Sequence, residues 1–154
     1  MTTRLSIYNE IKTQLLGIAS IGLVIEPGMF DANESAVLSG TDPKHVAELA
    51  FGDDSVTGTP TNVIDKQFDV AVMVHLSPSL SEAIDTSYMA QAEAVYKAIE
   101  ALYGGYAPQN GTWGGHAIRT EDDGGGGLSF ERISGCLVTI VYFKIYYRHA
   151  PGDI

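Results

Sequence analysis

Hydrophobic positions along this chain fall into four ordered stretches, separated by segments rich in glycine, proline and acidic residues. From Phe68 to Leu76, the residues Phe68, Val70, Val72, Val74 and Leu76 alternate with Asp69, Ala71, Met73 and His75. Period-two alternation of this kind predicts a half-buried strand. The run Ile133–Arg148 is β-branched or aromatic almost throughout and has no proline, which predicts one long closing strand. One face would carry Cys136, Val138, Ile140, Tyr142, Lys144, Tyr146 and Arg148, and the other Leu137, Thr139, Val141, Phe143, Ile145 and Tyr147. Neither face turns polar before Lys144, so the strand is expected inside a sheet covered on both sides over much of its length. Sixteen residues is long for a strand, the usual length being about five or six. Either the strand bends, with Gly135 as one site, or its distal half serves something beyond the core of the subunit.

The other two ordered stretches repeat at helical spacing. Tyr8, Ile11, Leu15 and Ile18 recur at intervals of three, four and three, predicting an amphipathic helix from about Arg4 to Ile18. Gly22 then releases the chain into a short extended run, Leu23–Glu26, ended by Pro27-Gly28. The second helix would begin near Ser79-x-x-Glu82, which has capping-box spacing, with Asp85 and Ser87 as rival starts. Its apolar face is Met89, Ala92, Tyr96, Ile99 and Tyr103, with Val95 and Leu102 beside it, and Gly104-Gly105 is its stop. Residues 28–60 are the least regular part, a long loop excursion. Within it Asp42 as cap, Pro43 at the first position and Gly52 as stop predict a short helix over Pro43–Phe51. After the second helix come a glycine-rich loop from Tyr106 to Gly115 and a strand over His116–Glu121. A turn over Glu121–Gly127 and a strand over Leu128–Arg132 complete the chain before the closing strand. The order predicts one α+β domain over residues 1–154, a two-layer sandwich. Its sheet would be mainly antiparallel with about four strands, and two main helices would cover one face.

Charge and chemistry narrow the function. The chain has 154 residues and a formal charge of −10, with only nine Lys and Arg. Gripping nucleic acid requires cations to neutralise phosphates, so that class is disfavoured. Thr13–Ile25 is uncharged and mostly apolar, but shorter than the about 20 residues a membrane helix needs. Glu10 and Lys12 precede it and no Ala-x-Ala site follows, unlike a secretory signal; no membrane partner is expected and the chain suits cytosolic folding. The single cysteine, Cys136, provides neither a disulfide framework nor a CxxC metal site and reads as a small buried hydrophobe. His45, His75, His116 and His149 fall in separate elements, against a metal site. The acids Asp53-Asp54 and Glu121-Asp122-Asp123 have the donor chemistry for Mg²⁺ or acid–base work, but in glycine-rich turns they read as solvated. Gly124–Gly127 joins two strands and lacks the GxxxxGK[ST] frame of a phosphate loop. No GxSxG is present. No catalytic, cofactor-binding or metal-binding residue is therefore assigned, and the chain reads as a non-enzyme.

A family resemblance gives that reading content. The opening helix Ile7-Tyr-Asn-Glu-Ile-Lys-Thr-Gln-Leu-Leu-Gly17, the strand Phe68-Asp-Val-Ala-Val-Met-Val74, the helix Ala92-Glu-Ala-Val-Tyr-Lys-Ala-Ile-Glu-Ala-Leu102 and the closing Tyr146-Tyr147-Arg148 follow in this order. In order and spacing of elements, over nearly the whole chain, this resembles the tail terminator proteins of long-tailed bacteriophages, also called tail-completion or tail-to-head joining proteins. The likeness is one of pattern, without a diagnostic motif, and residues 28–60 are longer than in the smallest family members.

The resemblance implies a small sheet with helices on one side and a homo-hexameric ring in the virion neck, assembled in the host cytoplasm. Such a ring caps the tail tube protein, ends its polymerisation, and joins the tail to the head-completion or connector protein. DNA would pass through its channel without specific binding. Six copies would carry about −60 from six times −10, and acidic loops at Asp53, Asp54, Glu121, Asp122 and Asp123 would repel DNA phosphates from the channel wall. Met29, Phe30, Tyr106 and Trp113, in loops, and Lys144, Tyr146, Tyr147 and Arg148, at the end of the closing strand, are the expected contacts to neighbours or the tube. Two alternatives stand beside this reading, another phage neck component and a small cytosolic enzyme with a site built across elements.

Overall fold

β4 (Ile64–His75) and β7 (Cys136–His149) form the spine of a seven-stranded sheet in the computed structural model. The structure describes residues 3–28, 37–77, 84–104, 109–123, 130–133 and 136–152. The two strands pair antiparallel from Ile64 opposite His149 to His75 opposite Val138. Outward from β4 lie β2 (His45–Phe51) and then β1 (Ile21–Ile25), while β5 (Arg119–Asp122) lies outward from β7. β3 (Ser55–Gly58) pairs with the start of β4, and β6 (Phe130–Ile133) with the start of β7. Among the described strands only β1 and β2 run parallel, so the fold is α+β with a mixed, largely antiparallel sheet.

Both long helices contribute to one core. Along α1 (Thr3–Leu16), Ile7, Ile11 and Leu15 recur every four residues and are buried, and α2 (Ile84–Tyr103) adds Ala92, Val95, Ile99 and Tyr103. They meet Phe68, Val70, Val72 and Val74 of β4 and Val141, Phe143, Ile145 and Tyr147 of β7. Each such side chain contributes roughly 1.5–3 kcal/mol through burial, so this layer dominates the stability of the subunit. A smaller cluster of Ile25, Leu38 and Val46 forms a second centre, near a third helical segment over residues 37–39. No described helix is long and apolar enough to cross a membrane.

Several expectations are corrected. The sheet has seven strands where about four were expected. The helix anticipated over Pro43–Phe51 is strand β2: it is hydrogen-bonded to β1 on one side and β4 on the other, with Ala47 and Leu49 facing the helices. Tertiary pairing overrides the local Asp42-Pro43 signal. Ile133 does not open the closing strand but ends β6, pairing with Cys136 across residues 134–135. The strand expected over His116–Glu121 is shifted to Arg119–Asp122. On α2, Met89 is 55% exposed rather than part of the apolar face. Burial of β7 on both faces holds from Val138 through Val141. The Ser79–Glu82 cap and Gly135 lie outside the described residues, as does the side chain of Cys136.

Candidate functional site

Three groups of side chains stand out above this frame. The first is a corner where α1 crosses the ends of β1 and β2. Arg4 sits in the first turn of α1 and donates from its guanidinium to the Gly52 carbonyl at 2.5 Å, while pairing with Asp54 at 2.8 Å. Its cationic carbon lies 4.8 Å from the Phe68 ring centre and 5.5 Å from that of Phe51, within cation–π range. Beneath it the rings of Tyr8, Phe51, Phe68, Tyr147 and His149 succeed one another at 4.6–5.8 Å. Burial, reinforced by the nearby Asp54 carboxylate, pushes the Tyr147 phenol well above its ordinary pKa, so it stays neutral. On the solvent side of this corner is an open cleft of about 600 Å³, lined by Arg4, Leu5, Tyr8, Lys12, Glu26 and Phe51 among others. The Tyr8 hydroxyl is also pushed upward, first by burial and then by Glu26.

The second group is the loop around Trp113, which the structure makes a plug. Trp113 is 1% exposed; its indole stacks on Phe143 with ring centres 5.7 Å apart, and Nε1 donates to Thr120 Oγ1 at 2.8 Å. Thr120 Oγ1 in turn donates to the Gly111 carbonyl at 2.7 Å. Trp113 adopts a left-handed backbone with φ of 49°, a conformation costing about 1–2 kcal/mol for a residue with a side chain. The buried indole and its hydrogen bond hold it there. At Gly111, φ is 75° and an added Cβ would approach Thr120 to 3.1 Å. These glycines let the loop close on its own domain. The expected role of Trp113 as an exposed anchor is therefore overturned.

The third group is a charged ladder on the sheet face away from the helices. Across β4, β7 and β5, Asp69 faces Lys144 and Lys144 faces Glu121. Lys144 lies 3.9 Å from Asp69. Tyr146 donates its hydroxyl to Glu121 at 3.1 Å, and Arg119 lies 4.0 Å over the Tyr146 ring while binding Glu121 at 3.0 Å. Arg148 holds Asp65 through two bonds, 2.6 and 3.0 Å, which lowers the Asp65 pKa. Of the four residues expected to reach beyond the domain at the end of β7, Tyr147 is thus overturned: it is fully buried in the core. Lys144, Tyr146 and Arg148 face outward within cross-strand contacts of their own subunit.

The expected acids are separated by these contacts. Asp54 is taken up by Arg4, whereas Asp53 is exposed. Asp122 accepts a 2.6 Å hydrogen bond from Tyr103, whose phenol is pushed far upward by burial and by that bond. Glu121 and Asp122 are exposed and Asp123 half-buried, its amide donating to the Tyr142 carbonyl. Met29, Phe30 and Tyr106 lie outside the described residues.

Buried polar groups at the other end of the sheet complete the inventory. The Glu48 carboxylate accepts from His75 Nε2 at 2.6 Å on the face away from the helices. On the helix-facing side His45 Nδ1 accepts from the Ser77 amide at 2.9 Å, so its proton resides on Nε2. Burial pushes the His45 pKa down to about 4, against a hydrogen bond to Gln91 that raises it. Ser77 donates its hydroxyl to the Leu38 carbonyl. Among the described residues no group of three or more His, Cys, Asp or Glu is placed to hold a metal ion. No protein-family model matches the chain, and no curated protein matches it significantly. Sequence reasoning missed the Arg4 corner. Its signal was that the outward positions of α1 include Leu5 and Leu16, both exposed, where a purely solvated helix face would be polar.

Proposed function

We propose that the chain is a structural subunit of the phage neck, forming a hexameric ring that caps the tail tube, ends its growth and joins it to the head connector. The observation carrying this reading is that the four segments behind the family resemblance are those that build one core. Residues of Ile7–Gly17, Phe68–Val74 and Ala92–Leu102, with Tyr147 from the closing Tyr146-Tyr147-Arg148, pack together as α1, β4, α2 and β7. The polar sheet face and the acidic surplus fit a wall along which DNA slides. Exposed Asp53 and Asp122 would repel phosphates from the channel, and the excess charge of six copies would limit adhesion.

Native mass measurement, alone and with tail tube protein, tests this reading. The expected result is a hexamer that binds tube ends and stops their elongation. A ring that binds the connector but not the tube would make it a different neck component. A monomer indifferent to both would overturn the proposal, and a nucleotide or metal that raised its melting temperature would favour an enzyme.

A further inference from the structure

The cleft on α1 and the edge at β5 lie at opposite ends of the strand order β1-β2-β4-β7-β5. Glu26 directly follows β1, and Phe51 ends β2, so the cleft belongs to the β1 side. Among the described residues, two of the five exposed large hydrophobics fall on these two surfaces: Leu5 in the cleft and Ile118 at the entry to β5, each 48% exposed. Their charges are complementary. The cleft offers Lys12, which forms no ion pair among the described residues, and Glu26. The β5 edge offers exposed Glu121 and Arg119, an ion pair of the subunit's own that each would extend to a charge of the cleft. Arg4 is already held by Asp54 and the Gly52 carbonyl, so Lys12 is the cation this cleft offers to an incoming carboxylate.

We propose that these surfaces are the two halves of one head-to-tail contact between copies of this chain. It rests on the ring reading and names the surfaces that would make the ring. Ile118 of one copy enters the cleft beside Leu5 and over Tyr8 and Phe51. Glu121 meets Lys12, and Arg119 meets Glu26. The Arg4–Asp54 pair stays intact and fixes the floor, since it holds the Phe51 end of β2 against α1. Because the patches differ and sit on opposite edges, each copy keeps one of each free after pairing. Such an interface propagates until it closes into a ring or continues as a filament.

A charge exchange tests the contact. Lys12→Glu and Glu121→Lys, singly and combined, would be compared with the unmodified chain by sedimentation equilibrium and native mass at low salt. Both side chains are exposed, and melting curves would identify any variant lost to misfolding. Ile118→Ser, which alters no charge, is a second probe. Each single substitution is expected to weaken self-association at least tenfold, and the double exchange to recover most of that loss. Singles that assemble like the unmodified chain, or a double no better than the singles, would overturn the contact. If the hexamer forms regardless of these changes, the ring reading survives and only this contact falls. A chain monomeric at every concentration, alone and with tube protein, removes both.

Discussion

Toward the helices, the second half of β7 presents Phe143, Ile145 and Tyr147; away from them it presents Lys144, Tyr146 and Arg148. Tyr146 and Tyr147 are neighbours in sequence with the same chemistry, yet one holds an exposed carboxylate and the other is sealed under an aromatic ladder. The difference comes from strand alternation alone, and it separates stability from surface chemistry within a single strand. The inner residues lose water from large apolar areas. The outer ones exchange water for ion pairs that remain solvated and contribute little.

The contrast can be broken most directly at Phe143, which is stacked between Tyr103 and Trp113. Phe143→Ala is expected to cost about 3–5 kcal/mol through lost burial and the cavity left behind, read as a lower denaturant midpoint. A loss under about 1 kcal/mol would mean that the inner face is not the stabilising one. Acid should sharpen the picture next. The His45 pKa is depressed to about 4 in the folded chain against an ordinary 6.5. The unfolded chain therefore takes up this proton first. Stability from this group is intact above about pH 6.5, falls as the pH drops, and is fully lost below about pH 4. A depression of that size is worth about 3 kcal/mol. Urea titrations across this range should show the loss, and His45→Gln should flatten it; an unchanged slope would refute the assignment. The smallest effect belongs to the outer ladder. Arg148→Ala should leave the melting temperature within experimental error, despite its two short bonds to Asp65, and a clear drop would show that the ladder stabilises the fold.

The sequence made the parts that obey one periodicity legible. α1, β4, the second half of α2 and β7 each expose a repeating apolar pattern, and each formed near its expected bounds. β2 was hidden because both of its faces are buried: Val46 and Glu48 alternate with Ala47 and Leu49 without a polar side to mark the period. The Asp42-Pro43 pair then supplied a local helix signal that long-range pairing defeats. Trp113 was misread for a related reason. Glycines around a tryptophan suggest room for a partner, but positive φ at Gly111 and Gly114 instead folds the loop back on Thr120 and Glu10. The Arg4 corner depends on residues up to Tyr147, a separation no local pattern encodes.

The β4–β7 spine also sets a timetable for synthesis. β4 ends at His75 and β7 begins at Cys136, so roughly sixty residues separate the two partners on the ribosome. At ordinary elongation rates of about 5–20 residues per second, β4 waits roughly 3–12 s with one edge unpaired and its valines uncovered. β5 and β6 have no strand to join until then, since both pair with β7. A chain interrupted before its last strand lacks the spine and leaves β5 and β6 without a partner strand. Truncated products would leave β4 with an unpaired edge and uncovered valines, which makes them substrates for chaperones and proteases.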